Sequence, residues 1–413
     1  MSDGPPLRIA WLGGAPAESG GAPGVVTELL EGLSDLGHAI DVFLPGEPRG
    51  IPEQLRGRSN VRFVAGATAW RWNRWYSRTR LTSFVSGLLA RALGSIRLRR
   101  EILRRHAERP YDVLFQNQTI ESLGAPSRLI GSVPLVVRPD THQAGELRWQ
   151  LKERRLALRC QPLPSYVLVA AVMALRSVVQ AVRIRKVDLL IAISTVFRDH
   201  VVHDYRFPVE RTVVIPNPVR LERFTSSSRA VSEPPLILVP ARISARKGLE
   251  DVIELARALP DAGIRARLRV IGGPSTWSDY TPLLEELPSE SAEYGGPVRP
   301  AEMPGELARA DVVLLASKYE PFGLTIAEAL ASGVPVLGTS EVGALEYVDP
   351  AVAETVAPGD VEGMVRAVQR LLATLRTAPE QTRALARAEA ERHFAREVVC
   401  AEVAAALRRV AAR

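Results

Sequence analysis

Cysteine is nearly missing from this 413-residue chain: there are two, Cys160 and Cys400, 240 positions apart. That excludes a disulfide framework, and without CxxC or Cys/His spacing it gives no zinc site, so a reducing compartment fits best. Long apolar runs are scarce too. The run inside "MSDGPPLRIAWLGG" is too short for a secretory signal, and the longest, Tyr166 to Leu175, is stopped by Arg176 after ten residues. Ten is about half of what a membrane span needs. A cytoplasmic protein is therefore expected, with Asn117-Gln118-Thr119 an accidental sequon.

Three motifs are missing as well. Neither a Walker GxxxxGK[ST] loop nor a GxGxxG fingerprint occurs, so kinase, ATPase and dehydrogenase readings have no anchor. No DxD triplet is present, which removes the usual carboxylate pair for holding Mg²⁺ or Mn²⁺ on a diphosphate. The expectation is a site with no cofactor and no obligatory metal.

Acid is missing locally. Gln54 to Arg100 holds eleven arginines and no Asp or Glu. Residues 1–222 carry 31 Lys and Arg against 20 Asp and Glu, while the remainder carries 22 against 26, so the overall +7 is an N-terminal excess. Such asymmetry points to an anionic partner for the first half, a membrane surface or an acidic acceptor, or simply to a solvated basic face.

What is present is 46% apolar residue content, enough for two cores of roughly 200 residues each. "LRIAWLG" reads as a strand, "GAPAESGGAPG" as a loop, and Val25, Val26, Leu29, Leu30, Leu33 and Leu36 mark one helical face before "AIDVFLPG" gives a second strand. "YDVLFQN", "VPLVVRP", "VDLLIAIS" and "RTVVIPNP" continue the series. It restarts at "PPLILVPARISARKGLEDVIELARAL" and runs through "ARLRVIGG", "ADVVLLAS" and "VPVLGTS". The Ser- and Pro-containing "RLERFTSSSRAVSEPP" between them reads as the linker. Two doubly wound α/β domains follow, 1–222 and 223–395, with a terminal helix, about 396–413, packing back on the first.

Ligands of such sheets bind beyond the carboxyl ends of the strands, where helix N-termini offer free amides. After "LILVPA" stand Arg242 and Lys247-Gly248, two cations at a helix mouth and a suitable diphosphate cradle. After "VVLLAS" comes "SKYEPFGLTIAEALASG". Gly323 permits close backbone approach, the first free amides lie near Leu324 to Ile326, and Glu320 and Glu328 are placed to touch different parts of one ligand. A carboxylate accepting from vicinal hydroxyls is a common grip on ribose. Gly20, Gly21 and Gly24 form the opposite wall by topology.

These residues resemble the GT4 family of retaining glycosyltransferases with the GT-B fold: "EPFGLTIAE" looks like its E-x7-E motif, and "ARISARKG" is similar to its G-R-x-x-x-x-K-G segment. "VVIPNPVRLERF" and the N-terminal glycine loop with its helix match more weakly. The resemblance implies two Rossmann-like domains facing a cleft, and transfer of a sugar from a UDP- or GDP-linked donor to a hydroxyl acceptor such as a glycan, glycolipid or small metabolite. It implies Arg242 and Lys247 on the diphosphate, Glu328 on the ribose, and Glu320 on the donor sugar. Phe322, Gly323, Leu324 and Thr325 would supply backbone contacts, and Gly21 would approach from the N-terminal domain. The family's histidine falls six residues after a strand-leading proline. Here that position, counted from Pro134, is Asp140, and His142 follows two later; His142 is taken as the residue facing the sugar. Arg220 stands where the family commonly has an acid.

The acceptor side is marked by "WRWNRWYSRTR", Trp70 to Arg80, where tryptophan alternates with arginine. That composition suits peripheral contact with the inner face of an anionic membrane, or an aromatic clamp on sugar. Nucleic-acid stacking through this stretch and a sugar-nucleotide epimerase of similar architecture are the alternatives; with the donor constellation complete, no nucleic acid is expected.

Overall fold

The structure, a computed structural model, describes residues 4–18, 21–44, 50–66, 80–121, 125–226, 229–274 and 280–412, with backbone only for 80–93. Gly20 and Trp70 to Thr79 lie outside the described residues.

The N-terminal sheet is built from β1 (Arg8–Leu12), β2 (Ala39–Leu44), β3 (Val61–Ala65), β4 (Val113–Gln118), β5 (Leu135–Pro139), β6 (Leu189–Ala192) and β7 (Thr212–Val214). Its order is β3-β2-β1-β4-β5-β6-β7, every pairing parallel. The crossovers carry α1 (Gly21–Asp35), α2 (Arg80–Glu108), α3 (Gln143–Lys152), α4 (Arg154–Cys160), α5 (Leu163–Arg183) and α6 (Thr195–Tyr205). The second sheet, order β10-β9-β8-β11-β12-β13, comprises β8 (Leu236–Pro240), β9 (Arg267–Ile271), β10 (Ala292–Tyr294), β11 (Val312–Leu315), β12 (Val336–Thr339) and β13 (Ala353–Val356). Its helices are α7 (Leu249–Asp261), α8 (Met303–Arg309), α9 (Leu324–Ala331) and α10 (Val361–Thr377), and α11 (Pro379–Phe394) and α12 (Arg396–Ala411) close the chain.

The strands expected from apolar runs are all there. β3, β10 and β13 are additional. Each is an edge or near-edge strand with charged or polar residues, so continuous burial does not mark it. The apolar face of α1 is buried against the sheet, and α12 packs into the same core layer through Val399, Cys400, Val403 and Leu407. The terminal helix is broken between Phe394 and Arg396, where the Val219 amide donates to the Phe394 carbonyl at 2.8 Å. Helix α5 runs straight through Arg176, and the segment Leu163–Lys186 is long and apolar enough to cross a membrane by length and composition; the sequence had marked only a ten-residue run there.

In both sheets the strand order reverses next to the first strand, between β1 and β4 and between β8 and β11. Loops leaving adjacent strands at such a point diverge to opposite faces and open a crevice.

Candidate donor site

Two loops of the second domain build one wall. The loop after β8 carries Arg242, which is exposed, then Arg246 and Lys247, and turns at Gly248 with φ 64°. A Cβ at Gly248 would sit 2.1 Å from the Ala316 carbonyl oxygen, so only glycine lets this loop pack on the end of β11. The loop after β11 brings Glu320 to the same place. Lys247 Nζ pairs with Glu320 Oε2, and Arg246 Nη1 lies 3.4 Å from that oxygen while its Nε bonds Glu146 at 3.1 Å. Burial works against ionising Glu320, but Lys247 and Arg246 outweigh it and hold the carboxyl below its ordinary value. Burial pulls Lys247 down, against the same carboxylate.

Gly323, φ 89°, is the N-cap of α9 and offers no side chain to close the helix. The amides of Leu324 and Thr325 are therefore first-turn donors without partners in the helix. The Phe322 ring is core, 2% exposed and packed edge-on to Phe394 at 5.7 Å; only its backbone faces the loop. One turn into α9, Glu328 lines an inter-domain pocket with Gly21, Gly24, Arg223 and Leu324. Burial pushes its carboxyl up to about 7, against the pull of Arg223. The two acids thus occupy separate surroundings, one neutralised by two cations and one nearly neutral by itself.

His142 is the N-cap of α3 and fully buried. Nδ1 is 2.5 Å from the Tyr319 hydroxyl and Nε2 is 2.8 Å from Asp204. Burial lowers its pKa although Asp204 opposes this. Gly145 makes the contact feasible, since a Cβ there would lie 2.6 Å from His142 and 2.7 Å from Tyr319. The side chain is thus engaged between the domains, behind the loop that carries Glu320. Asp140 differs: neither carboxylate oxygen has a hydrogen-bond partner among the described residues, and burial raises it to about 6 against Arg138, 3.8 Å away.

Sequence reasoning missed three residues here. Arg246 looked like an ordinary loop arginine. Asn117 and Arg138, paired across β4 and β5, are fully buried, and both side-chain polar atoms of Asn117 and two nitrogens of Arg138 lack hydrogen-bond partners among the described residues. Buried polar atoms are normally satisfied, so orphans at the carboxyl ends of adjacent strands mark a ligand-facing region. The readable signal was a polar residue ending an otherwise apolar strand, "VLFQN" and "LVVRP". Arg220 has a different job: it bonds Glu28 at 2.9 Å and pairs with Glu31, both on α1.

The family models decide the kinship. "Glycosyltransferase Family 4" matches residues 19–223 and "Glycosyl transferases group 1" matches 222–389, together nearly the whole chain. The chain belongs to the GT4 glycosyltransferases. Among curated GT4 relatives, a D-inositol 3-phosphate glycosyltransferase of Geodermatophilus obscurus is 27% identical over 377 residues, covering 85% of this chain and 78% of its own. Mannosylfructose-phosphate synthase of Agrobacterium fabrum is 28% identical across 38% of each chain. Glycogen synthase of Mycobacterium tuberculosis is 29% identical across 49% of each. The matches to these last two span less than half of the relatives' own length. In three dimensions, sucrose-phosphate synthase from Thermosynechococcus elongatus superimposes with a TM-score of 0.71 at 18% identity over 98% of this chain and 99% of its own. HepE from Anabaena, solved with UDP, gives 0.64 at 18% over 98% and 100%. The fold is GT-B.

Proposed function

We propose that this chain transfers a sugar, with retention, from a nucleoside-diphosphate sugar to a hydroxyl acceptor without an obligatory metal. The observation that carries this reading is the division of labour around the N-terminus of α9: Glu320 held by Lys247 and Arg246 before the helix, and Glu328 in the inter-domain pocket opposite Gly21. Glu328 accepts from the ribose hydroxyls and Glu320 from the transferred sugar. As the bond from the anomeric carbon to the diphosphate breaks, negative charge grows on the leaving oxygens. Arg242, Lys247 and the amides of Leu324 and Thr325 stabilise it in place of a cation. The acceptor oxygen forms the new bond to the same carbon on the face the diphosphate leaves, and its proton passes to the departing diphosphate oxygen. From the first domain Asp140, whose carboxylate oxygens have no hydrogen-bond partner among the described residues, faces the donor, while His142, held by Tyr319 and Asp204, positions the loop that carries Glu320.

HepE has been solved with UDP and with UDP-glucose, which supports trying uridine donors before GDP-linked ones. The test is release of nucleoside diphosphate from UDP-, GDP- and ADP-sugars, with and without EDTA. Release that persists in EDTA and disappears in Glu328→Ala is expected; collapse on chelation would overturn the metal-independent reading.

A further inference from the structure

Helix α5 presents a face that the protein itself does not cover. Val167, Leu168, Leu175, Val178 and Val182 are 54%, 47%, 64%, 62% and 56% exposed, and their spacing of three and four residues places them, with Ala171, on a stripe roughly 100° wide. Leu163 extends it at 59% exposure, giving a length of about 30 Å. No charged residue lies on the stripe. A monomeric protein in water rarely leaves so continuous an apolar strip open.

Along its own stretch of chain the helix carries charge of one sign. From Arg154 to Val187 there is no Asp or Glu, while Arg154, Arg155 and Arg159 precede the stripe, Arg176 and Arg183 flank it, and Arg185 and Lys186 follow. Arg159 and Arg176 bond Glu286 and Glu121; Arg154, Arg155, Arg185 and Lys186 are exposed at the two ends. An apolar stripe framed by cations complements a surface with hydrocarbon below and phosphate at its rim.

We infer that α5 lies in the plane of an anionic lipid bilayer, its apolar stripe at the boundary between headgroups and acyl chains. It does not cross. The helix is part of the connection between β5 and β6, which pair directly in one sheet, so a crossing would place neighbouring strands on opposite sides of the membrane. Its inner face is also fixed in the domain: the Tyr166 hydroxyl bonds the Gln150 carbonyl at 3.1 Å, and Gln180 Oε1 accepts from the Gln143 amide at 2.9 Å and from the Tyr205 hydroxyl at 2.6 Å. Both Gln143 and Gln150 belong to α3, the helix that begins beside His142 and sends Glu146 to Arg246. Docking through α5 therefore sets the mouth of the cleft next to the lipid surface.

The full-length protein is sedimented, without nucleotide, with vesicles of phosphatidylcholine alone and with phosphatidylglycerol added. Binding to the anionic vesicles is expected, falling at least about tenfold in Leu175→Glu/Val178→Glu and in a variant with Arg154, Arg155, Arg185 and Lys186 changed to glutamine. UDP binding by the same variants, read by calorimetry, should be unchanged and shows that they fold. If UDP does not bind the wild type, circular dichroism and thermal unfolding serve as the fold check, so failure of the donor reading leaves this test intact. Wild-type protein that ignores both vesicles, or binding that survives the stripe substitutions, overturns the proposal. So does concentration-dependent dimerisation lost in Leu175→Glu/Val178→Glu, which would make the stripe a contact between copies.

Discussion

Glu328 has a carboxyl pushed up to about 7 by burial, with only Arg223 opposing, and both its function and its cost depend on that value. In the unfolded chain it ionises near its ordinary value of 4.5. As pH rises from there to 7 the unfolded state loses a proton that the folded state keeps, so stability falls across this window, by at most about 3 kcal/mol. Glu328→Gln removes the penalty: its melting temperature should exceed that of the wild type at pH 8 and converge with it near pH 4.5. In the proposed reading the ribose hydroxyls donate to the Glu328 carboxylate, so nucleotide affinity of the wild type is expected to weaken as pH drops below 7, and Glu328→Gln to bind poorly throughout. Calorimetry at several pH values checks both. Equal melting temperatures at pH 8 would mean that Glu328 is ionised at little cost. The residue types of this site were legible in the sequence, because acid and cation stand beside glycines at strand-to-helix turns, where an apolar packing pattern does not call for charge. Their pairing was not. That Lys247 grips Glu320 depends on two loops 73 residues apart meeting, and no local pattern encodes that meeting.

At the scale of elements, buried parallel strands were easy to read, since they are continuous apolar runs, whereas β10 and β13 at the second sheet's edges, "AEY" and "AETV", look like loop. The break between α11 and α12 falls where the terminal helix was expected to begin, though no local residue type marks it. "AERHFAREVVC" has neither glycine nor proline, and the helix stops because the Val219 backbone takes the Phe394 carbonyl. Just past that break, Arg396 meets Glu31 at 3.1 Å, beside the pairing of Arg220 with Glu28 and Glu31. Two arginines, one at the start of the linker and one after the break, thus fasten both inter-domain connections to α1. Arg220→Ala leaves two mostly buried carboxylates with Arg396 and, for Glu31, Arg58 at 3.5 Å, and a loss of about 1–3 kcal/mol in urea unfolding is expected. A change under the error of the measurement would show that Arg396 and Arg58 suffice.

For the whole molecule, one loop carries several of the contacts between the domains, beside those of Glu346 with the Thr195 amide, Glu341 with His200 and Arg246 with Glu146. Lys318 reaches Glu153, Tyr319 bonds His142, the Pro321 carbonyl accepts from Ser194 Oγ at 2.7 Å, and Glu320 lies between them. Tyr319→Phe deletes a single hydroxyl within this set and leaves the ring in place. The expected result is a broader distribution of inter-domain distances by small-angle scattering, with thermal stability nearly unchanged. An identical scattering curve would mean that the remaining contacts hold the arrangement unaided. In the proposed reading the loop that carries Glu320 to the donor sugar also bridges the domains, so the two equilibria are reciprocal: whatever factor domain approach adds to donor affinity, donor adds to domain approach. A substitution that loosens the bridge without touching the donor should weaken donor binding, and a lost sugar contact should in turn leave the two halves further apart. Substrate preference in this chain can therefore be altered from positions that never meet the substrate.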